Sequence, residues 1–315
     1  MGTPGKAAGK AMNGRAAVQH RDRESAARLE VRLLGSFEVG YRGRPPLRFE
    51  SRRTRALLAY LVCHPDRALP RESLGALLWP EADAATTRHN LRQAFYNLRH
   101  TLTPPAGNQS PLTTRHDSLA FTPPPGAWID LAIFTGALRG ARDLQDGIDP
   151  CALARAVEVY GGDFLAGFWF PGGTAFEEWL LAEQERWREA AVAALTDLVE
   201  HHLRHGGYGL GIDYARRLQT IEPLAEEPHR QLMRLYALSG RRGRVVAVYE
   251  SLRRLLATEL DVAPMPETTL LYRRILAQEQ PAPAAAREAP SARGYRTVGS
   301  NAAAAMAGLR DRLAP

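Results

Sequence analysis

Four large apolar side chains, Leu91, Phe95, Leu98 and Leu102, recur at intervals of four, three and four residues in one stretch of this chain. That spacing places them on a single face of a helix, whereas a strand would alternate every second residue. It predicts a helix from about Thr86 to Leu102, whose apolar stripe needs a core to bury against. The preceding residues supply one. Ser51 is an N-cap candidate for a helix from Arg52 to Cys63, in which Leu57, Leu58 and Leu61 form a second stripe, stopped by Pro65 and Asp66. A short helix from Arg71 to Leu78 ends at Trp79-Pro80. Ahead of these lie three short β-forming runs, Leu29 to Leu34, Phe37 to Val39 and Leu47 to Phe49, separated by Gly35 and by a Gly/Pro-rich turn at 41–46. After them, Pro111 to Arg115 and Ser118 to Thr122 read as a hairpin turning at His116-Asp117. Strands, three helices and a hairpin in that order form a winged helix.

The pattern changes character at the proline run 123–125. Beyond it, amphipathic spacing predicts helices over 152–160, 176–203, 212–220, 227–239, 245–256 and 267–277. Gly206-Gly207-Tyr208 aligns with Gly240-Arg241-Arg242 at an offset of 34 residues, with Gly211 matching Val245 and Leu218 matching Leu252. Helix pairs at this period are typical of tetratricopeptide (TPR) arrays, which stack into surfaces that bind other proteins. The fold class expected is mainly α: a winged helix (α+β), then an all-α, TPR-like helical domain. The expected organisation is an arm over 1–28, a winged-helix domain over 29–122, a helical domain over 123–279, and a Pro/Ala-rich tail over 280–315, with arm and tail disordered.

Charge divides along the same lines. Residues 1–28 carry six basic and two acidic side chains, and 29–122 carry thirteen and eight, whereas 123–280 carry seventeen and twenty-two. A basic first half joined to an acidic second half fits a polyanion partner for the first alone. Nearly all the positive charge is arginine, which suits phosphate forks and guanine edges.

Other classes lack support in the sequence. No apolar run is long enough to span a bilayer, and the first residues lack the apolar core of a signal peptide, so a cytoplasmic protein without a membrane partner is expected, nucleoid-associated if its basic half binds DNA. Cys63 and Cys151 are the only cysteines, which provides neither a disulfide framework nor a CxxC metal pattern. Gly9-Lys10 lacks the spacing of a phosphate-binding loop, and no GxSxG, HExxH or dinucleotide fingerprint occurs. His201 and His205 could share a helix face for a metal, but a polar end near a helix C-terminus is the plainer reading. Trp169, Trp179 and Trp187 read as packing residues with polar tips. No catalytic, cofactor or metal site is assigned.

The stretches LEVRLLGSFEV, LLWPE and LRQAFYNLRHTL resemble the OmpR-like winged-helix domain of SARP-type regulators, the actinobacterial activators of antibiotic-pathway genes. The later stretches VEVYGGDFLAGF, FEEWL and EPLAEEPHRQLMRLYALSGRRGRVVAVYESLRRLLATEL are similar to the bacterial transcriptional activator domain that follows it in that family. The resemblance covers about residues 29–278. It implies an activator of a secondary-metabolite gene cluster that binds promoter direct repeats in double-stranded DNA, self-associates side by side there, and recruits RNA polymerase holoenzyme. The basic arm, the proline run and the tail depart from the family pattern.

The third helix carries the candidate base contacts. A turn of about 100° per residue sets His89, Gln93, Tyr96 and His100 opposite the apolar stripe, with Arg88, Arg92 and Arg99 along one edge and Asn90 and Asn97 along the other. Arginine can grip guanine O6 and N7, and glutamine or asparagine can grip adenine N6 and N7. Arg92, Gln93, Tyr96 and Asn97 are therefore the expected base contacts, with Arg88 at the groove entrance. Arg52, Arg53 and Arg55, at the start of the first helix, are candidate phosphate contacts, as is Arg99 unless it is structural. Thr114, Arg115 and His116 form the candidate wing contact. The competing reading makes all of these a solvated surface, with the first-helix arginines paired to Glu50 or Glu72. A TPR-type protein-binding adaptor, or a repressor with the same winged helix, also remains open, since binding DNA does not set the sign of its effect.

Overall fold

The computed structural model describes residues 28–104, 110–142, 148–169 and 173–277, so the expected arm (Arg28 apart) and tail lie outside the described residues. β1 (Leu29–Arg32) buries Leu29 and Val31 and turns Glu30 and Arg32 outward. It pairs antiparallel with β2 (Glu38–Tyr41), and Arg32 falls opposite Glu38. The run 47–49, expected as a third strand, instead makes one ladder-like bond, Leu47 N to Val39 O at 2.8 Å. Pro45 and Pro46 just ahead of it have no N–H with which to extend a ladder.

The three expected helices are all present. α1 (Arg52–Cys63) starts at the Ser51 hydroxyl, which accepts from Thr54 N, and it buries Ala56, Leu57, Leu58, Leu61 and Val62. A two-residue strand, β3 (Leu69–Pro70), leads into α2 (Arg71–Leu78). α3 (Ala84–Thr101) begins two residues earlier than the apolar spacing alone indicates. Asp83 is the reason: its carboxylate takes Ala85 N and Thr86 N at its Oδ1, and the Thr86 hydroxyl at its Oδ2. These bonds, the Thr86 hydroxyl first, hold the Asp83 carboxyl below its usual range. The hairpin β4 (Leu112–Arg115) and β5 (Ser118–Phe121) joins β3 in a sheet of order β3-β5-β4.

The chain then returns to its beginning. β6 (Trp128–Ile129) lies parallel to β1, giving a sheet of order β2-β1-β6. It runs directly into α4 (Asp130–Arg142), a helix that apolar periodicity did not indicate. Six more follow: α5 (Pro150–Val159), α6 (Thr174–His205), α7 (Tyr208–Ile221), α8 (Glu226–Leu238), α9 (Arg242–Glu259) and α10 (Pro266–Ala277). α7 and α9 each follow a glycine in the left-handed region, Gly206 at φ +79° and Gly240 at φ +73°. Gly211 sits where α7 meets its neighbours closely: a Cβ there would come within 2.7 Å of the Leu235 side chain. The described residues from 28 to 272 gather into one unit.

Within that unit the two halves share one apolar cluster, from Leu29 and Leu57 through Phe121 to Phe164 and Ala191. The end of β1 is held on two sides. Asp130, 1% exposed, accepts from Leu33 N at 2.6 Å and Leu34 N at 2.7 Å with one oxygen, and from Leu131 N at 2.8 Å with the other. Burial pushes its carboxyl above the usual range, against those three N–H groups and the Arg32 charge. From the other side, Gly161 N donates to Leu34 O and Leu165 N to Leu33 O. Gly161 is required there, since a Cβ would lie 2.9 Å from Leu34 O. The loop is braced by Arg188, whose guanidinium grips Asp163 at 2.7 and 3.1 Å. Desolvation and the Asp163 charge raise the nearby Tyr160 phenol to about 12.

Asp130→Ala would strand the two buried N–H groups of Leu33 and Leu34, at about 1–3 kcal/mol each. Chemical denaturation should show a loss of roughly 3 kcal/mol, whereas Asp130→Asn, which keeps one acceptor oxygen, should lose about half as much or less. Equal and negligible losses would contradict the bridging role.

Candidate nucleic-acid interface

The outer face of α3 is open. Leu91, Phe95 and Leu98 are buried against α1 and α2, which leaves Arg88, His89, Arg92, Gln93, Tyr96, Arg99 and His100 exposed. Tyr96 is 66% exposed and shares that face. No aspartate or glutamate occurs within α3, and the nearest one before it, Asp83, is engaged as the cap. Three arginines therefore stand on a helix face without a carboxylate of its own. Arg88 lies back along the helix, its Nε donating to Ala84 O at 3.0 Å. The Arg99 carbonyl accepts from the Thr103 hydroxyl at 2.6 Å, and its side chain is exposed.

The second edge of α3 borders a hollow closed on its far side by the start of α1, where Glu50, Arg52 and Arg53 approach Gln93 and Asn97. Asn97 is half-buried and donates to the Glu50 carboxylate, while Gln93 Nε2 donates to Asn97 Oδ1 at 3.0 Å. Glu50 is thus bonded to α3.

The first-helix arginines are not equivalent. Arg52 donates to Trp169 O at 3.3 Å and its guanidinium lies 5.8 Å from the centre of that indole. Trp169 is 57% exposed, so it is a surface partner of Arg52 rather than a packing residue; Trp179 and Trp187 do pack, against Tyr60 and Phe134 respectively. Arg53 is half-buried and its Nε donates to Leu78 O at 3.1 Å, closing the C-terminal end of α2. Arg55 borders a separate hollow with Arg48, Phe37 and Phe49.

In the wing, Thr114, Arg115 and His116 are all exposed, and His116 takes φ +47° at the two-residue turn. The turn is tied to α2 through Arg71, whose N donates to Asp117 O at 2.9 Å. Elsewhere, His201 and His205 stack at 4.2 Å, and among the described residues no three metal-ligating side chains come together. No helix among the described residues is long and apolar enough to cross a membrane.

The chain as a whole is similar to several known proteins. Residues 129–276 match the bacterial transcriptional activator domain, from the end of β6 to α10. The chain is 28% identical over 265 residues to the regulatory protein AfsR of Streptomyces coelicolor, covering 83% of this chain, and 28% identical over 260 residues to AfsR of Streptomyces griseus, covering 81%. It spans about a quarter of the length of these curated relatives. Among solved structures it is similar to Mycobacterium tuberculosis EmbR, determined in complex with a low-affinity phosphopeptide. That match has a TM-score of 0.57 at 25% identity, over 80% of this chain and 66% of the other.

The contrast between Arg53 and Arg92 can be measured without DNA. Arg53→Ala removes a charged donor from the Leu78 carbonyl and should cost about 1 kcal/mol in denaturant unfolding, while Arg92→Ala should stay within about 0.5 kcal/mol of the parent. A larger loss for Arg92 would place it in the scaffold.

Proposed function

We propose, from this chain's kinship with the SARP-type transcriptional regulators, that it is a sequence-specific DNA-binding activator of transcription. One observation carries the reading: α3 rests on α1 and α2 by its apolar stripe and offers an open face of arginine, glutamine and tyrosine, with no acidic residue in the helix itself. A helix so presented fits the major groove, where Arg92 is suited to a guanine edge and Gln93 to an adenine edge. Arg88, Tyr96 and Asn97 complete the proposed base-reading set. Arg52, Arg55 and Arg99 are the proposed phosphate contacts, with Arg53 supporting them from the scaffold, and Thr114, Arg115 and His116 meet the backbone or minor groove beside the site.

In this reading residues 29–122 are the reader and 123–279 form the protein-binding domain, with the helix pairs from α7 onward as its TPR-like array. Two copies occupy direct repeats side by side and engage RNA polymerase holoenzyme. The regulated genes are those of a secondary-metabolite cluster, as expected of this family.

The test is a fluorescence-anisotropy titration of the full chain on duplexes from its own genomic neighbourhood, against scrambled duplexes, at several salt concentrations. The cognate duplex should bind about 10³-fold or more tightly than scrambled DNA, and an Arg92→Ala/Gln93→Ala pair should remove most of that margin. A steep salt dependence without sequence preference would reduce the arginines to phosphate contacts. Absence of binding to every duplex would sink the reading and favour a protein-binding adaptor.

A further inference from the structure

A polar relay on α3 has its direction set from outside the helix. Asn97 Nδ2 donates to the Glu50 carboxylate, and Gln93 Nε2 donates to Asn97 Oδ1 at 3.0 Å. A carboxylate can only accept. The side of the Asn97 amide that meets Glu50 must therefore be its NH2 group, which leaves Oδ1 facing Gln93. Gln93 in turn has to donate. With a neutral amide in place of Glu50, both α3 amides could rotate together and keep the same number of hydrogen bonds.

The consequence lies at the exposed end of the relay. Gln93 retains Oε1 as a free acceptor and one Nε2 hydrogen as a free donor, and it stands on the open face with Tyr96. An acceptor beside a donor is the complement of adenine in the major groove, which presents the N6 amino group as donor next to N7 as acceptor. Asn97, with its amide engaged at both ends and its side chain half-buried, is poorly placed to read a base itself.

We infer that Glu50 is a positioning residue for base readout: acting through Asn97, it fixes the Gln93 amide in the orientation that reads adenine. The inference rests on the DNA-reading role of α3 proposed above, and it reassigns Asn97 from base contact to relay. Glu50 also has an opposite effect. Its carboxylate shares a hollow with Arg52 and Arg53, where it repels any phosphate that approaches them. Neutralising it should weaken discrimination and strengthen non-specific binding at once, a combination that a general loss of structure cannot produce.

The test uses the full chain as wild type, Glu50→Gln and Gln93→Ala. Each is selected against a pool of duplexes with a randomised stretch and titrated on one scrambled duplex, with a thermal melt as a check on folding. Glu50 is exposed, so the melt of Glu50→Gln should match wild type. Wild type should prefer adenine by about tenfold or more at one position of each half-site, the scale of a good bidentate pair, and Gln93→Ala should lose that preference. In Glu50→Gln the preference should fall to about threefold or less at that position alone, while affinity for the scrambled duplex rises about two- to fivefold. The inference is overturned if Glu50→Gln keeps the adenine preference, if it loses every position equally, or if the position that depends on Gln93 is not adenine. A wild type that selects no sequence overturns the reading role of α3 together with it.

Discussion

A buried carboxylate holds this molecule together at its least obvious point. Asp130 opens α4 and accepts the backbone N–H groups of Leu33 and Leu34, nearly a hundred residues earlier, as well as that of Leu131. Taking a carboxylate out of water costs several kcal/mol. Hydrogen bonds to a charged acceptor contribute about 1.5–3 kcal/mol each, so three of them offset part of that cost, burial still raising the carboxyl above its usual range, and two of them close the end of β1 at the same time. Arg32 adds its charge nearby while lying 4.5 Å from the centre of the Trp128 ring on the partner strand. The first strand of the winged helix is therefore completed by β6 and α4, elements of the segment that follows the wing.

The same junction ties the N-terminal sheet to the helices that follow. Residues 33–35 lie between Asp130 on one side and the loop 161–166 on the other, and Arg188 on the long helix α6 braces that loop through Asp163. Arg217 on α7 reaches the same region, donating to the carbonyls of Val157 and Tyr160 at 2.7 and 3.1 Å. A continuous set of packed and hydrogen-bonded groups thus runs from the N-terminal sheet to the helix pairs. Through these bonds the N-terminal sheet and the helical segment are held to each other within one unit.

Much of the winged helix could be seen in the sequence, because its helices are defined by local spacing. The stripe Leu91, Phe95, Leu98 and Leu102 located α3, and Ser51 located α1 to the residue. The glycines at 206 and 240 marked the joints ahead of α7 and α9, where both adopt positive φ. What escaped was non-local. β3 and β6 are two residues each and exist only through partners, β5 and β1, distant in sequence. α4 contains Gly136 and Gly140 and opens with an aspartate, features that in isolation suggest a turn. The arginines of α1 read alike, yet Arg52 finds Trp169 and Arg53 finds the Leu78 carbonyl, contacts no local pattern foretells. Glu50 was expected among those arginines, and its bond to Asn97 spans 47 residues.

The central claim is that α3 lies in the major groove, and methylation protection addresses it most directly. Dimethyl sulfate attacks guanine N7 in the major groove and adenine N3 in the minor groove, so it distinguishes which side of the duplex is covered. With the full chain on its cognate promoter, the account expects guanine N7 protection in two clusters, spaced by about one helical turn, that disappears when Arg92 is replaced by alanine. Protection confined to adenine N3, or guanines left reactive under a saturating amount of protein, would show that the open face of α3 does not read DNA.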